Sequence, residues 1–253
     1  MTTFAPTILR YDSLPSTNSE VAHQAQRGSP EGLCIVAGEQ TAGRGRLQRH
    51  WISPAGAGLY LSVLLRPRVD ITLWSLIPLF AALAVHDALL ESCALRTDIK
   101  WPNDILFDGR KLCGILAETI ETNAGRAVVV GIGINLTMEA FPVDLKEVAI
   151  SIDAATGKSP DAESLLQSLI RLLARRYEMF QGADGAAGVI REWSNCSSFA
   201  TGKKVSVANG GEAFTGVTRG LESDGGLRVE TDAGQIRIVR AGDVTMVRPG
   251  TDT

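Results

Sequence analysis

Cysteine pairs are missing from this chain. Its four cysteines, Cys34, Cys93, Cys113 and Cys196, are scattered over 253 residues without a Cys-x-x-Cys spacing or a neighbouring histidine. That excludes a zinc ribbon, offers no disulfide framework and fits a reducing compartment. Histidine is also scarce, and His23, His50 and His86 have no partners at catalytic or metal spacing, so they read as surface or core residues. There is no Gly-x-Ser-x-Gly elbow and no Walker A sequence, which leaves serine-hydrolase and P-loop readings unsupported. Nor is there an excess of positive charge: 25 Lys plus Arg stand against 28 Asp plus Glu, a net of −3. A bulk polyanion binder is excluded, and any nucleotide contact must come from a local basic patch. The longest apolar run, Trp74 to Val85, is broken by Ser75 and Pro78 and reads as too short to cross a bilayer. Met1 to Tyr11 lacks the basic and apolar segments of a signal peptide. The expectation is a soluble, cytoplasmic chain with no membrane partner.

The remaining composition, 45% apolar and 21% charged, is that of a packed protein with a sizeable core. Thr17-Asn18-Ser19-Glu20 has capping-box spacing and Gly28 offers a stop, which predicts a helix over 18–27. Strands are predicted over Leu33–Gly38 and Leu59–Leu65, the latter ended by Pro67. Between them, 41–58 is too polar and glycine-rich for a core element and reads as a mobile loop. Leu73–Leu95 predicts a helix, with Pro78 tolerable near its start. Asp108-Gly109 between Ile105-Leu106-Phe107 and Lys111-Leu112-Cys113 is a hairpin signal, and β-rich runs follow at Ile115–Glu121 and Ala127–Ile134. A helix is predicted over 160–180, capped by Ser159, then a loop over 182–188 and a short amphipathic piece at 190–193. After about Ser198 come five short β runs (205–208, 214–218, 227–231, 236–240 and 244–248) separated by glycine turns, as in a small barrel with its own core. The fold class is therefore α+β, a mixed and mainly antiparallel sheet with helices over residues 1–197, followed by a small β domain over 198–253.

Two stretches can carry chemistry. In Gly43-Arg44-Gly45-Arg46-Leu47-Gln48-Arg49-His50-Trp51, glycines beside arginines let backbone N–H groups approach an anion while guanidinium forks close over it. A solvated basic loop or a nucleic-acid tether fits the same residues. In Lys100-Trp101-Pro102-Asn103-Asp104 with Lys111, the proline demands an edge or a bend, and the charges suit a clamp for a polyphosphate and Mg²⁺. An ordinary charged hairpin fits as well. Gly131-Ile132-Gly133-Ile134-Asn135 starts like a dinucleotide fingerprint, but Leu136 takes the place of the third glycine. Its glycines are better read as room for a ligand against a strand. Ser16-Thr17-Asn18 serves as a helix cap on any reading.

In this order, these blocks resemble the biotin–protein ligase family. The resemblance runs from about residue 10 to 137 through Ser16-Thr17-Asn18, Glu39 to Arg46, Trp51 with Ser53-Pro54, Leu59 to Ser62, Lys100 to Asp104, Lys111 with Gly114 to Leu116, and Gly131 to Asn135. It continues more loosely through the C-terminal β segment, which resembles an SH3-like domain. It implies a catalytic fold of the biotin/lipoate ligase type and a two-step reaction: ATP activates biotin to biotinyl-5′-AMP, and a lysine of a biotin carboxyl carrier protein then takes the acyl group. Lys111 is implied as the catalytic bridge between carboxylate and phosphate, with Arg46 and Asp104. Ser16, Thr17, Asn18, Gln40, Gly43, Arg44, Gly45, Arg46, Lys111, Gly114, Gly131 and Gly133 are implied around biotin. Arg44, Arg46, Trp51, Lys100, Asn103, Lys111 and Asn135 are implied around ATP or the adenylate. Asp104 either holds Mg²⁺ or orients the incoming lysine.

The implied carrier is acetyl-CoA carboxylase or another biotin-dependent carboxylase. Members that also repress transcription carry a helix-turn-helix domain before the first of these motifs, where only 15 residues precede Ser16 here. The expectation is accordingly a monofunctional ligase without DNA binding. Relatives include monomers and homodimers, and no segment marks a self-complementary face. A lipoate– or octanoate–protein ligase is the alternative enzyme, and a non-catalytic biotin or nucleic-acid binder the alternative class.

Overall fold

The computed structural model describes residues 4–209 and 212–246. Met1–Thr3, Gly210-Gly211 of one expected glycine turn, and Val247-Arg248 of the last expected strand lie outside the described residues. Strand β1 (Thr7–Leu14), helix α1 (Thr17–Gln26) and strand β2 (Leu33–Gln40) form a strand–helix–strand unit whose strands pair in parallel. Strand β3 (Gly58–Leu65), helix α2 (Ile77–Cys93) and strands β4 (Asp98–Lys100), β5 (Asp104–Phe107), β6 (Arg110–Thr122) and β7 (Gly125–Asn135) follow. They complete a seven-stranded sheet in the order β1-β2-β3-β7-β6-β5-β4, antiparallel at every other junction. The mixed, mainly antiparallel sheet read from the sequence is what forms.

Helix α1 covers one face of this sheet, with Val21 and Ala25 buried against Ile35, Leu64, Ala127 and Val129. A short helix α3 (Ile152–Thr156) leads on to α4 (Ala162–Phe180) and α5 (Gly185–Cys196). The opposite face carries α2, α4 and α5. Residues 201–246 form a second, five-stranded antiparallel sheet from β8 (Thr201–Asn209), β9 (Glu212–Leu221), β10 (Leu227–Thr231), β11 (Ile236–Val239) and β12 (Asp243–Met246), ordered β11-β10-β9-β8-β12. Five strands match the barrel expectation, but no ladder among the described residues closes β11 onto β12.

Local chemistry moved several boundaries. The N-cap of α1 is Ser16, whose extended backbone (φ −161°) lets its hydroxyl accept from Ser19 N. Thr17 is free of that task and turns to Gln40 instead. Asp161, not Ser159, caps α4 by accepting from Glu163 N and Ser164 N. Pro78 lies in the first turn of α2, where its missing N–H is harmless, so the helix runs on. Consequently one stretch among the described residues, Ile71–Cys93, is long and apolar enough by length and composition to cross a membrane, which corrects the reading that broke it at Pro78. Most of α2 is buried between the sheet and α4. Glycines suggested a loop over 182–188, yet α5 begins at Gly185, where a Cβ would lie 2.2 Å from Phe180 O. Close approach to the end of α4 requires that glycine. At Asp108-Gly109 both residues have positive φ (50° and 70°), the conformation the hairpin needed.

One buried cluster runs without interruption from α2, α4 and the large sheet into Phe199, Val205, Val207, Leu227, Val229 and Val244 of the second sheet. The turn before β10 is seated on the larger sheet's helices: a Cβ on Gly225 would meet Leu76 Cδ2 at 2.8 Å. Trp101 Nε1 donates to Gly225 O at 2.9 Å, and Ser75 Oγ donates to Asp224 O at 2.6 Å. Removing residues 198–253 is therefore expected to leave a less stable remnant, because buried apolar surface on α2 and around Trp101 becomes exposed. Thermal unfolding followed by circular dichroism checks this. An unchanged Tm would show that the second sheet has a core of its own.

Candidate active site

Strand β7 explains where the cavity forms. Its odd-numbered side chains face α1, and under the helix these are Ala127 and Val129. Beyond the helix N-terminus they are Gly131 and Gly133, and the missing side chains leave a slot. The slot is already tightly walled: a Cβ on Gly131 would lie 2.1 Å from Asn18 Oδ1, and one on Gly133 2.4 Å from Trp51 Nε1. Gly114 on neighbouring β6 continues the floor, with a Cβ there 2.9 Å from the Trp51 ring.

The polar end of the slot comes from three elements. Gln40, at the end of β2, accepts from Thr17 N at 2.9 Å and Thr17 Oγ1 at 3.1 Å, and its amide donates to Ser53 Oγ at 2.9 Å. Ser62 Oγ on β3 lies 2.7 Å from Thr17 Oγ1 and 2.6 Å from Asn18 Oδ1. Ser16, Thr17 and Asn18 are all buried at the positive end of α1, where backbone N–H groups favour electron-rich partners.

The cationic end comes from the β4–β6 edge. Asp104 is held 2.7 Å from Lys111 Nζ and 3.2 Å from Lys100 Nζ. Burial pushes the Asp104 carboxyl up, but the two ammoniums more than offset this and hold it below the usual carboxylate range. The anion in turn fixes Lys111, whose Nζ stands 5.2 Å from the Trp51 ring centroid. Asn103 donates to Ile115 O at 2.7 Å and accepts from Arg46 Nη1 at 3.0 Å.

The arginine loop closes the third side and is pinned at several points. Arg44 and His50 form a bridge, Trp51 N donates to Gly43 O at 3.0 Å, and residues 46–48 make a single helical turn. Arg44 pairs with Glu118 at 2.6 Å, and Arg49 pairs with Asp243 of the second sheet. Arg46 instead meets only neutral acceptors, Asn103 Oδ1 and Gly242 O at 3.1 Å. Burial lowers the Arg46 pKa, an effect partly countered by Asp243 and Asp104.

Of the residues singled out from the sequence, Ser16, Thr17, Asn18, Gln40, Arg44, Gly45, Arg46, Trp51, Asn103, Asp104, Lys111, Gly114, Gly131 and Gly133 line one cavity. Three do not. Gly43 lies in the loop stem, Lys100 acts through Asp104, and Asn135 Nδ2 is engaged by backbone, donating to Lys111 O at 3.3 Å and Ile150 O at 3.0 Å, while its buried Oδ1 has no partner among the described residues. Asn135 thus shapes the chain around Lys111. The residues also give Mg²⁺ no cage: no group of three or more His, Cys, Asp or Glu side chains is placed to hold a metal among the described residues, and Asp104 faces two ammoniums. Arg49 and His50, part of the arginine loop but not of the implied contacts, also line the cavity, as does Asp243, which was not singled out. Asp243 carried no signal, being separated from Arg49 by 194 positions. The buried Trp51 Nε1 has no hydrogen-bond partner among the described residues, a donor suited to a ligand.

Known proteins share this arrangement. Residues 11–135 match the Biotin/lipoate A/B protein ligase family, and 201–247 match the Biotin protein ligase C terminal domain. The chain is 35% identical over 238 residues to the "Bifunctional ligase/repressor BirA" of Bacillus subtilis, covering 92% of this chain and 72% of that protein. It is 33% identical to the "Biotin--[acetyl-CoA-carboxylase] ligase" of Mycobacterium tuberculosis (92% and 86% covered) and 34% identical to that of Paracoccus denitrificans (90% and 96% covered). The structure of the Aquifex aeolicus biotin protein ligase in complex with biotin and ATP superposes with a TM-score of 0.82 at 29% identity, covering 96% of this chain and 99% of that one. A glycine-floored slot, a lysine clamp and an arginine loop, in a chain matched over nine-tenths of its length, place it in the biotin protein ligase family.

Proposed function

We propose that this chain activates biotin with ATP to biotinyl-5′-AMP and transfers the biotinyl group to a lysine of a biotin carboxyl carrier domain. The observation that carries this reading is Lys111: a cation fixed by buried Asp104, at the open end of a slot whose other end presents the polar residues of α1. The slot suits a ligand with a polar ring, an apolar body and a carboxylate tail. Ser16, Thr17, Asn18 and Gln40 meet the ureido ring, Gly114, Gly131 and Gly133 leave room for the rings and tail, and Lys111 receives the carboxylate. The printed names of the Mycobacterium and Paracoccus relatives support a carboxylase as the carrier's owner. The four free cysteines support a reducing, cytoplasmic setting. A repressor role forms no part of the proposal.

The three loop arginines divide the work. Arg44 and Arg49 are paired with carboxylates, whereas Arg46 hydrogen-bonds only neutral acceptors, Asn103 among them. Arg46 is therefore the guanidinium available to the α-phosphate, opposite Lys111. In the first step a biotin carboxylate oxygen bonds to the α-phosphorus as the bond to pyrophosphate breaks. Lys111 and Arg46 offset the repulsion between the two anions and the charge that develops on the phosphorus oxygens. In the second, the carrier lysine's neutral amine attacks the acyl carbon, AMP leaves and the amine loses a proton. Asp104 works here as the anchor of Lys111. Magnesium, on this reading, is held by the nucleotide's own phosphates.

Biotin-dependent ATP–pyrophosphate exchange tests the reading. The wild-type chain should exchange with biotin and not with lipoate, and exchange with lipoate alone would favour a lipoate ligase. Lys111→Ala should lower the rate by about 10²–10³-fold in a folded protein, the scale for losing one stabilising group at a developing oxyanion. Near-normal exchange would remove Lys111 from its role.

The glycine floor yields a second expectation. In Gly131→Ala the new methyl displaces the Asn18 amide, and misplacing a binding group by about 1 Å can lower rates on the order of 10²-fold. A large rise in KM for biotin is expected, with KM for ATP little changed. Equal biotin KM in mutant and wild type would show that Asn18 does not contact biotin.

A further inference from the structure

Glu118 belongs to none of the sequence blocks, yet it joins two of them. Its Oε1 accepts from Arg44 Nη2 at 2.6 Å, and its Oε2 accepts from Asn18 Nδ2 at 2.8 Å. One carboxylate therefore holds the arginine loop and the N-terminus of α1 together. Because a carboxylate only accepts, it sets the direction of the Asn18 amide together with the Leu116 carbonyl, which accepts from the same Nδ2 at 3.4 Å: Nδ2 toward Glu118, Oδ1 toward Ser62 Oγ.

From Asn18 the contacts run on through Ser62, Thr17 and Gln40 to Ser53, whose hydroxyl donates to Trp51 O at 3.1 Å. Arg44 and Trp51 are the two stems of the arginine loop, and the bond from Trp51 N to Gly43 O joins them directly. The polar lining of the slot is thus a ring that starts and ends on the loop. Within that ring Glu118 is the single anion, and Arg44 is the single cation. The Glu118 side chain is about one-quarter exposed and that of Arg44 about one-half, so solvent screens the pair in part and its role is geometric more than one of ion-pair strength.

We propose that Glu118 is a positioning residue that couples closure of the arginine loop to the shape of the biotin slot. Acting through Arg44 and Asn18, it makes a seated loop and a correctly turned Asn18 amide one event. A ligand that bonds to Asn18 then favours the closed loop, and a closed loop favours that ligand. The kinetic part of this inference rests on the proposed ligase activity, whereas the loop part does not.

The test uses the full-length chain and Glu118→Gln, which removes the charge and keeps one acceptor. Trypsin cleavage at Arg46 and Arg49 without substrates reads loop seating, and biotin-dependent pyrophosphate exchange reads KM and kcat separately. Cleavage is expected to quicken about tenfold, and KM for biotin to rise about tenfold with kcat within about threefold, as for sites coupled by a shared element. A merely structural role would lower Tm and leave that split absent. Combining Glu118→Gln with Arg44→Gln should add little to cleavage beyond either change alone, since both break one pair. Should Glu118→Gln fail to fold, Arg44→Gln, on the more exposed side of the pair, gives the cleavage result by itself. Unchanged cleavage and unchanged biotin KM in a folded Glu118→Gln overturn the proposal. A wild-type chain with no exchange activity would retire the ligase reading, while the cleavage comparison would still decide the role of Glu118.

Discussion

The site depends on a gap in one strand. Along the α1-facing side of β7, Ala127 and Val129 fill the space beneath the helix, and Gly131 and Gly133 leave it empty beyond the helix N-terminus. Strand alternation forces the two situations onto the same face, so the apolar packing that holds α1 down also determines where the slot opens. Side chains from three other segments then approach the bare backbone: Asn18 from α1, Trp51 from the loop and Lys111 from the hairpin. Gly131 and Gly133 cannot be enlarged without moving Asn18 or Trp51. In this sense the glycines are the floor on which the chemistry stands, on the central strand of the seven-stranded sheet.

Charge is distributed with equal economy around the slot. Five cationic side chains that the sequence displays in two clusters end in different electrical states. Lys100 and Lys111 share Asp104, Arg44 has Glu118 and Arg49 has Asp243, while Arg46 is left with neutral partners. Burial disfavours the Arg46 cation more than the nearby Asp243 and Asp104 charges favour it, which lowers its pKa. A phosphate brought beside Arg46 would pair with a guanidinium that hydrogen-bonds no carboxylate.

Much of this was legible in the residues and some was not. The hairpin at Asp108-Gly109 and strands β2, β3, β6 and β7 follow from turn chemistry and apolar patterning that act locally. The site blocks were legible because glycines beside arginines, or a lysine after a tight turn, have few purely structural uses in combination. Strand β1 was missed because Thr7–Leu14 lies at a sheet edge with none of its residues buried and has no clean alternation. The start of α5 was missed because Gly185 reads as a breaker until Phe180 is seen pressed against it. Glu118 and Asp243 were invisible for the same reason: each earns its place only through a partner 74 or 194 positions away.

Those distant partners also change how the second sheet should be understood. It is joined to the first by a continuous buried cluster, and its turns reach into the chemistry: Gly225 O receives Trp101, Gly242 O receives Arg46 and Asp243 receives Arg49. Trp101 leads directly into Asn103 and Asp104, so the turn before β10 braces the segment that anchors Lys111. The turn before β12 braces the arginine loop from the opposite side. A hinge between the two sheets would slacken both at once. The shared core therefore has a consequence beyond stability: it fixes the distance between the lysine clamp and Arg46, the two positive groups that have to hold one carboxylate and one phosphate in line.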